Sequence, residues 1–141
     1  MEKILLIPPL NPCKEGFHKL TIMVTTKAEN VADGYRLWDS HRAYMEASHK
    51  GFLITYSLSE GRELKNPLDP NSDPTGNTMF VLNECYETSA DVLKHWVKTA
   101  ADWPDFKELI AWMHRPGTKV ATLHDGLVRN SLFQESLASI F

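Results

Sequence analysis

Hydrophobic and polar positions alternate along residues 18–27 (HKLTIMVTTK): Leu20, Ile22, Val24 and Thr26 fall on one side, Lys19, Thr21, Met23 and Thr25 on the other. A period of two predicts a strand with one buried face. The period then changes. Val31, Tyr35, Trp38, His41, Met45 and His49 recur at spacings of three and four, predicting a helix that Asn30 can cap and Gly51 ends. Alternation returns in residues 51–61, where Phe52, Ile54, Tyr56 and Leu58 interleave with Leu53, Thr55, Ser57 and Ser59, a second strand. A third follows over residues 77–87, with Phe80, Leu82, Glu84 and Tyr86 on one face and Met79, Val81, Asn83 and Cys85 on the other. Thr88 or Ser89 then caps a second helix, and Asp91 lies in its first turn, where the helix dipole favours it. Leu93, Trp96, Val97 and Ala100 read as its core side. Pro104 suits the start of a renewed helix carrying Phe106, Leu109, Ile110 and Met113, which Arg115-Pro116-Gly117 stops. Residues 118–130 (TKVATLHDGLVRN) read as a fourth strand.

The order strand, helix, strand, strand, helix, strand predicts an α+β fold. Its natural packing is a ferredoxin-like βαββαβ unit, an antiparallel four-stranded sheet with its helices on one face. The 141 residues make one domain. It divides into an N-terminal arm (1–17), a core (18–130) and a C-terminal tail (131–141). The Pro-, Gly-, Asn- and Asp-rich stretch 61–77 reads as a long loop inserted in the core. With the helices on one side, the other face of the sheet would carry Met23, Thr25, Leu53, Thr55, Val81, Cys85, Ala121 and Leu123. That face is too apolar for water alone, so a homodimer joined through it is expected. The tail SLFQESLASIF and the apolar arm are read as structural additions to that contact.

Composition narrows the partners. Fifteen Lys and Arg against eighteen Asp and Glu give a formal charge of −3, without the basic excess that nucleic acid or an anionic membrane would need. The run Ile4-Leu5-Leu6-Ile7 is too short to span a bilayer or to form a signal-peptide core. Cys13 and Cys85 lie far apart with no partner nearby, so neither a disulfide framework nor a zinc motif is expected, and a reducing cytoplasmic setting is the default. Phosphate loops and dinucleotide fingerprints are lacking too, and no cofactor is expected.

A local motif adds to this. Glu84-x-Tyr86 ends the third strand, His95 follows eleven residues later on the helix, and Trp103-Pro104-x-Phe106 comes after it. This resembles the strand–helix signature of the antibiotic-biosynthesis-monooxygenase-like family, within the dimeric α+β barrel superfamily. The likeness is sharp over residues 78–106, and the element order extends it to 18–130. It implies a dimeric barrel with a pocket between sheet and helices. Activities in that family include cofactor-independent oxygenation of hydroquinone-like or polyketide aromatics, haem degradation and isomerisation of small phosphorylated ketones. The haem-degrading enzymes carry an Asn on the first strand, and HKLTIMVTTK has none.

The candidate chemistry centres on His95, which a helix–sheet contact would bring near Glu84 and Tyr86. A buried imidazole there can take a phenolic proton from a substrate, with Glu84 orienting it. The competing reading is a structural hydrogen bond between the same two residues. Glu84, on an otherwise apolar strand face, must pair, shift its pKa upward or reach water. Trp38, His41, Tyr86, Trp96 and His124 are expected to line the pocket and hold a small, aromatic ligand. Convergence of His41, His95 and His124 would suit a metal, but no short ligand spacing supports one, so no metal is expected. His49 is expected to meet the carbonyls at its helix end, and His18 and His114 to be solvated. Two other readings stand beside the enzyme: a non-oxidative isomerase or cyclase, and a non-catalytic ligand-binding or interaction module on the same fold.

Overall fold

The computed structural model describes residues 13–133. Strand β1 (His18–Thr26) leads through a short 3-10 turn (Ala28–Asn30) into helix α1 (Val31–Ser48). Strands β2 (Leu53–Leu64) and β3 (Pro74–Tyr86) form a hairpin. Helices α2 (Ser89–Asp102) and α3 (Phe106–Met113) follow, and β4 (Lys119–Leu127) closes the order. The sheet runs β2-β3-β1-β4 with every neighbouring pair antiparallel, the ferredoxin-like arrangement that the periodicity predicts. The arm up to residue 12 and the tail from residue 134 lie outside the described residues, and so do the contacts expected of them.

Leu20, Ile22 and Val24 of β1 and Phe80 and Leu82 of β3 point to the helix side, where Leu37, Trp38, Trp103, Leu109 and Trp112 pack on them. Each such side chain contributes roughly 1.5–3 kcal/mol on burial. Trp112 is anchored as well as packed, its indole N–H donating to the Asn30 carbonyl at 2.8 Å. Thr88 caps α2 as expected, its side chain accepting from the Asp91 amide. Asn30 does not cap α1; its side-chain amide donates to Thr26 Oγ1 instead.

Four local readings change. About half of the stretch 61–77 is strand: Arg62 pairs with Thr78, Leu64 with Pro74, and residues 65–73 form the connection. This end of the hairpin is exposed on both faces, so it carries no alternation to read. A bulge before Thr55 pairs Leu53 with Tyr86, which removes Leu53 from the uncovered face. Helix α2 is rotated from the expected side: Val92, His95 and Thr99 are buried, whereas Leu93 and Val97 are 64% and 63% exposed.

The fourth change concerns the cysteines. Cys13 and Cys85 form a disulfide. The segment around residues 13–17 is laced to the chain after β4 by Gly16 N–H to Val128 O and Val128 N–H to Phe17 O, which brings Cys13 to the end of β3. Disulfides persist in oxidising surroundings, so the expectation of a reducing cytoplasmic setting loses the unpaired cysteines on which it rested. No helix among the described residues is long and apolar enough to cross a membrane.

Candidate functional site

β3 is an interior strand, between β1 and β2, and Glu84 sits on its helix-facing side, opposite Leu20 and Tyr56. α2 covers it from above, so its carboxyl is fully buried. Tyr86 Oη donates to Glu84 Oε1 at 2.5 Å. His95 Nε2, from α2, stands 3.4 Å from the same oxygen, and His41 Nε2, from α1, 3.9 Å from Oε2. The expected convergence of His95, Glu84, Tyr86 and His41 therefore occurs. His124 does not join them: it lies exposed on edge strand β4 and stacks on Trp96 with ring centres 5.1 Å apart.

The outer nitrogens of both imidazoles are also held. His41 Nδ1 lies 2.9 Å from Tyr56 Oη. His95 Nδ1 lies 2.9 Å from His49 Nε2, with Thr99 Oγ1 at 3.3 Å. His49 Nδ1 is 2.7 Å from Ser48 Oγ, whose hydroxyl donates to the Tyr44 carbonyl at 2.7 Å. That carbonyl fixes the polarity of the whole line. The only hydroxyl proton of Ser48 is spent on it, so His49 Nδ1–H must donate to Ser48. His49 Nε2 then accepts from His95 Nδ1–H, and His95 Nε2 is left as a bare lone pair facing Glu84.

The titration of these groups follows from burial. Desolvation raises the Glu84 carboxyl to about 8, against a smaller lowering by the Tyr86 hydrogen bond. Desolvation lowers His41 and His95 to about 3, with neighbouring imidazoles adding to it. His49 falls to about 4, through desolvation and then Lys98 and Lys94. Burial pushes both Tyr56 and Tyr86 upward. At neutral pH the cluster is thus uncharged and proton-rich at Glu84.

Beside it lies an internal cavity of about 20 Å³, bordered by Trp38, His41, His95, Trp96, Thr99 and Trp103 among others. A volume of this size holds about one water. The aromatic ring expected there has no room, because the indoles that were to line it fill the space. The indole N–H groups of Trp38 and Trp96 are buried without an acceptor among the described residues. Larger clefts of about 300 and 330 Å³ lie at the α1–β2 edge, both bordered by Arg42 and Tyr56.

His49, Ser48 and Tyr56 were not expected here. His49 did fall eight residues after His41 on one helical stripe, which is the signal that both face the same layer. Tyr56 shared a strand face with Leu58, but its place opposite Glu84 depends on the hairpin register.

No protein-family model matches the chain, and no curated protein matches it. Among solved structures it is similar to a dimeric ferredoxin-like protein from an uncultured marine organism. The two share 8% identity and a TM-score of 0.56 over 82% of this chain and 99% of that one. A putative amidohydrolase/peptidase from Burkholderia cenocepacia gives 12% identity and a TM-score of 0.37, over 77% of this chain and 27% of that one, which carries no argument. The first likeness shows the fold, a ferredoxin-like α+β domain.

Proposed function

We propose that this protein is a small homodimeric enzyme that moves a proton to and from a small molecule through buried Glu84 and His95. One observation carries the reading: the hydrogen-bond line from the Tyr44 carbonyl through Ser48 and His49 holds His95 in the tautomer whose Nε2 lone pair faces Glu84. A base held in one tautomer by a partner on its far nitrogen is the arrangement general acid–base catalysis requires. Glu84, protonated at neutral pH, is the group that gives and takes the proton, and His95, its Nε2 lone pair turned to that carboxyl, is its base partner. The α1–β2 clefts, which are of small-molecule size, are bordered by Tyr56, whose hydroxyl lies 2.9 Å from His41 Nδ1, and His41 Nε2 stands 3.9 Å from Glu84.

The resemblance around Glu84-x-Tyr86 and His95 supports an electron-rich phenol or hydroquinone as the substrate class, whose anion reacts with oxygen without a cofactor. Pairing through the uncovered sheet face is supported by Met23 and Leu123, which are 38% and 56% exposed on it.

The test is a panel of hydroquinones and aromatic polyketides followed by oxygen uptake, with solvent-deuterium exchange read in parallel. Wild-type turnover that falls at least tenfold in folded His95→Ala and Glu84→Gln supports the assignment. Exchange without oxygen uptake identifies an isomerase or cyclase. Binding with neither, or turnover untouched by both substitutions, overturns it.

A further inference from the structure

Three donor atoms from three separate elements meet in the core: His41 Nε2 from α1, a Glu84 carboxylate oxygen from β3 and His95 Nε2 from α2. They all lie within 4.8 Å of one another. We infer that this trio is a binding site for one divalent transition-metal cation of the Zn²⁺ or Fe²⁺ type. The inference concerns the same pocket as the proton-transfer reading: coordination would use the His95 Nε2 lone pair and displace the Glu84 proton, so the metal-free and metal-bound forms are alternative states of one site. Glu84 takes the place that His124 held in the set weighed from the sequence.

The distances come first. Ligands at about 2.1 Å from a tetrahedral ion stand about 3.4 Å apart. His95 Nε2 to Glu84 Oε1 is already 3.4 Å, and His41 Nε2 to Glu84 Oε2 is 3.9 Å, so small side-chain rotations close the set. The donor chemistry comes next. Two neutral imidazoles and one carboxylate suit borderline cations, whereas calcium and magnesium ask for an all-oxygen shell. A two-histidine, one-carboxylate set also leaves positions open for water or substrate, as catalytic metal sites do.

The outer shell is the more specific observation. Each donor group is held from behind: His41 Nδ1 by Tyr56, His95 Nδ1 by His49, and Glu84 Oε1 by the Tyr86 hydroxyl. Such partners hold the donor groups in place, and one that accepts from Nδ1–H leaves Nε2 free for the ion. For His95 the line back to the Tyr44 carbonyl leaves Nε2 unprotonated, the state a ligand needs. Glu84 Oε2 points the same way: it is buried with no hydrogen-bond partner among the described residues. Coordination would satisfy it. The adjoining cavity of about 20 Å³ accommodates one metal-bound water, and the acceptor-less N–H groups of Trp38 and Trp96 border that cavity as its donors.

The test uses the full chain, stripped with a chelator and titrated with Co²⁺ by visible absorption and with Zn²⁺ by calorimetry. One ion per chain with micromolar or tighter affinity is expected, Zn²⁺ displacing Co²⁺ from the same site. His41→Ala and Glu84→Gln should each weaken binding at least 100-fold, and Tyr56→Phe about tenfold. His124→Ala, at an exposed histidine, should leave it unchanged. X-ray absorption of the wild-type Co²⁺ complex gives a readout that needs no variant to fold, and two imidazole nitrogens are expected.

No stoichiometric ion, binding that survives His41→Ala, or a spectrum without histidine ligands overturns the inference. The two readings of the pocket fail separately. Stripped protein that turns over the panel but takes no ion retains proton transfer and loses the metal. Protein that takes the ion at these residues but never turns over retains the metal alone.

Discussion

Replacing Glu84 by Gln in chelator-treated protein should remove the loss of stability that the wild type suffers above neutral pH. The buried carboxyl titrates near 8, against about 4.5 in an unfolded chain. A carboxyl raised in this way keeps its proton in the fold while the unfolded chain has already lost it. The unfolded state therefore binds fewer protons between these values, and stability falls as pH rises through that window. Each pH unit costs about 1.4 kcal/mol, so going from about pH 6 to about pH 9 should cost the wild type about 3 kcal/mol, most of it below pH 8. Gln keeps the size of the side chain and its acceptor for the Tyr86 hydroxyl, but does not ionise. Urea unfolding of both proteins at the two pH values measures the effect, and the wild-type minus variant difference cancels the exposed groups that titrate in the same range. An equal loss in the variant would refute the placement of a protonated carboxyl in this core.

Three further outcomes follow from the same packing. On the acid side, His41, His49 and His95 stay neutral in the fold with values lowered to about 3, 4 and 3, so the unfolded chain takes up protons first. Stability should fall as pH drops below about 6.5, and a melting temperature that stays flat from there to about pH 4 would contradict the burial of neutral imidazoles. Gly34→Ala should destabilise by about 1–3 kcal/mol despite alanine's better helix propensity. Its Cβ would lie 2.6 Å from Trp112 Cζ2 and 3.2 Å from the Phe80 ring, and a melt at or above the wild-type temperature would contradict this contact. Reducing the Cys13–Cys85 disulfide, which spans 72 positions, should lower stability by up to about 4 kcal/mol. A denaturation midpoint indifferent to dithiothreitol, in a protein whose thiols are shown to be oxidised beforehand, would argue against that pairing.

How far the site was legible varies residue by residue. Glu84 stood out because a carboxylate on an apolar strand face has to be explained, and the fold does bury it. His95 was found through its offset from Glu84, yet the helix that carries it was assigned the wrong face. Hydrophobicity alone placed Leu93 and Val97 inward, but the polar residues His95 and Thr99 occupy the core because His95 meets His49 and Glu84 there and Thr99 meets His95. His49 was read as an end-of-helix residue, since nothing local announces a bond to a ring 46 positions away. His124 was placed in the pocket by strand alternation, and it does stack on Trp96 of α2, but it lies on edge strand β4 where the pairing with β1 is irregular, between Leu123 and Gly126, and stays exposed.

The sequence by itself determined the number and order of elements, the sheet's buried face and the position of the carboxylate buried on it, because periods of two and near four are local consequences of backbone geometry. Tertiary structure alone decided which side of α2 faces inward, that Cys13 reaches Cys85, and that His41, Glu84 and His95 close to within 4.8 Å. Those three outcomes depend on register, helix rotation and the satisfaction of buried polar atoms across distant segments. None of these is encoded in the spacing of neighbours along the chain.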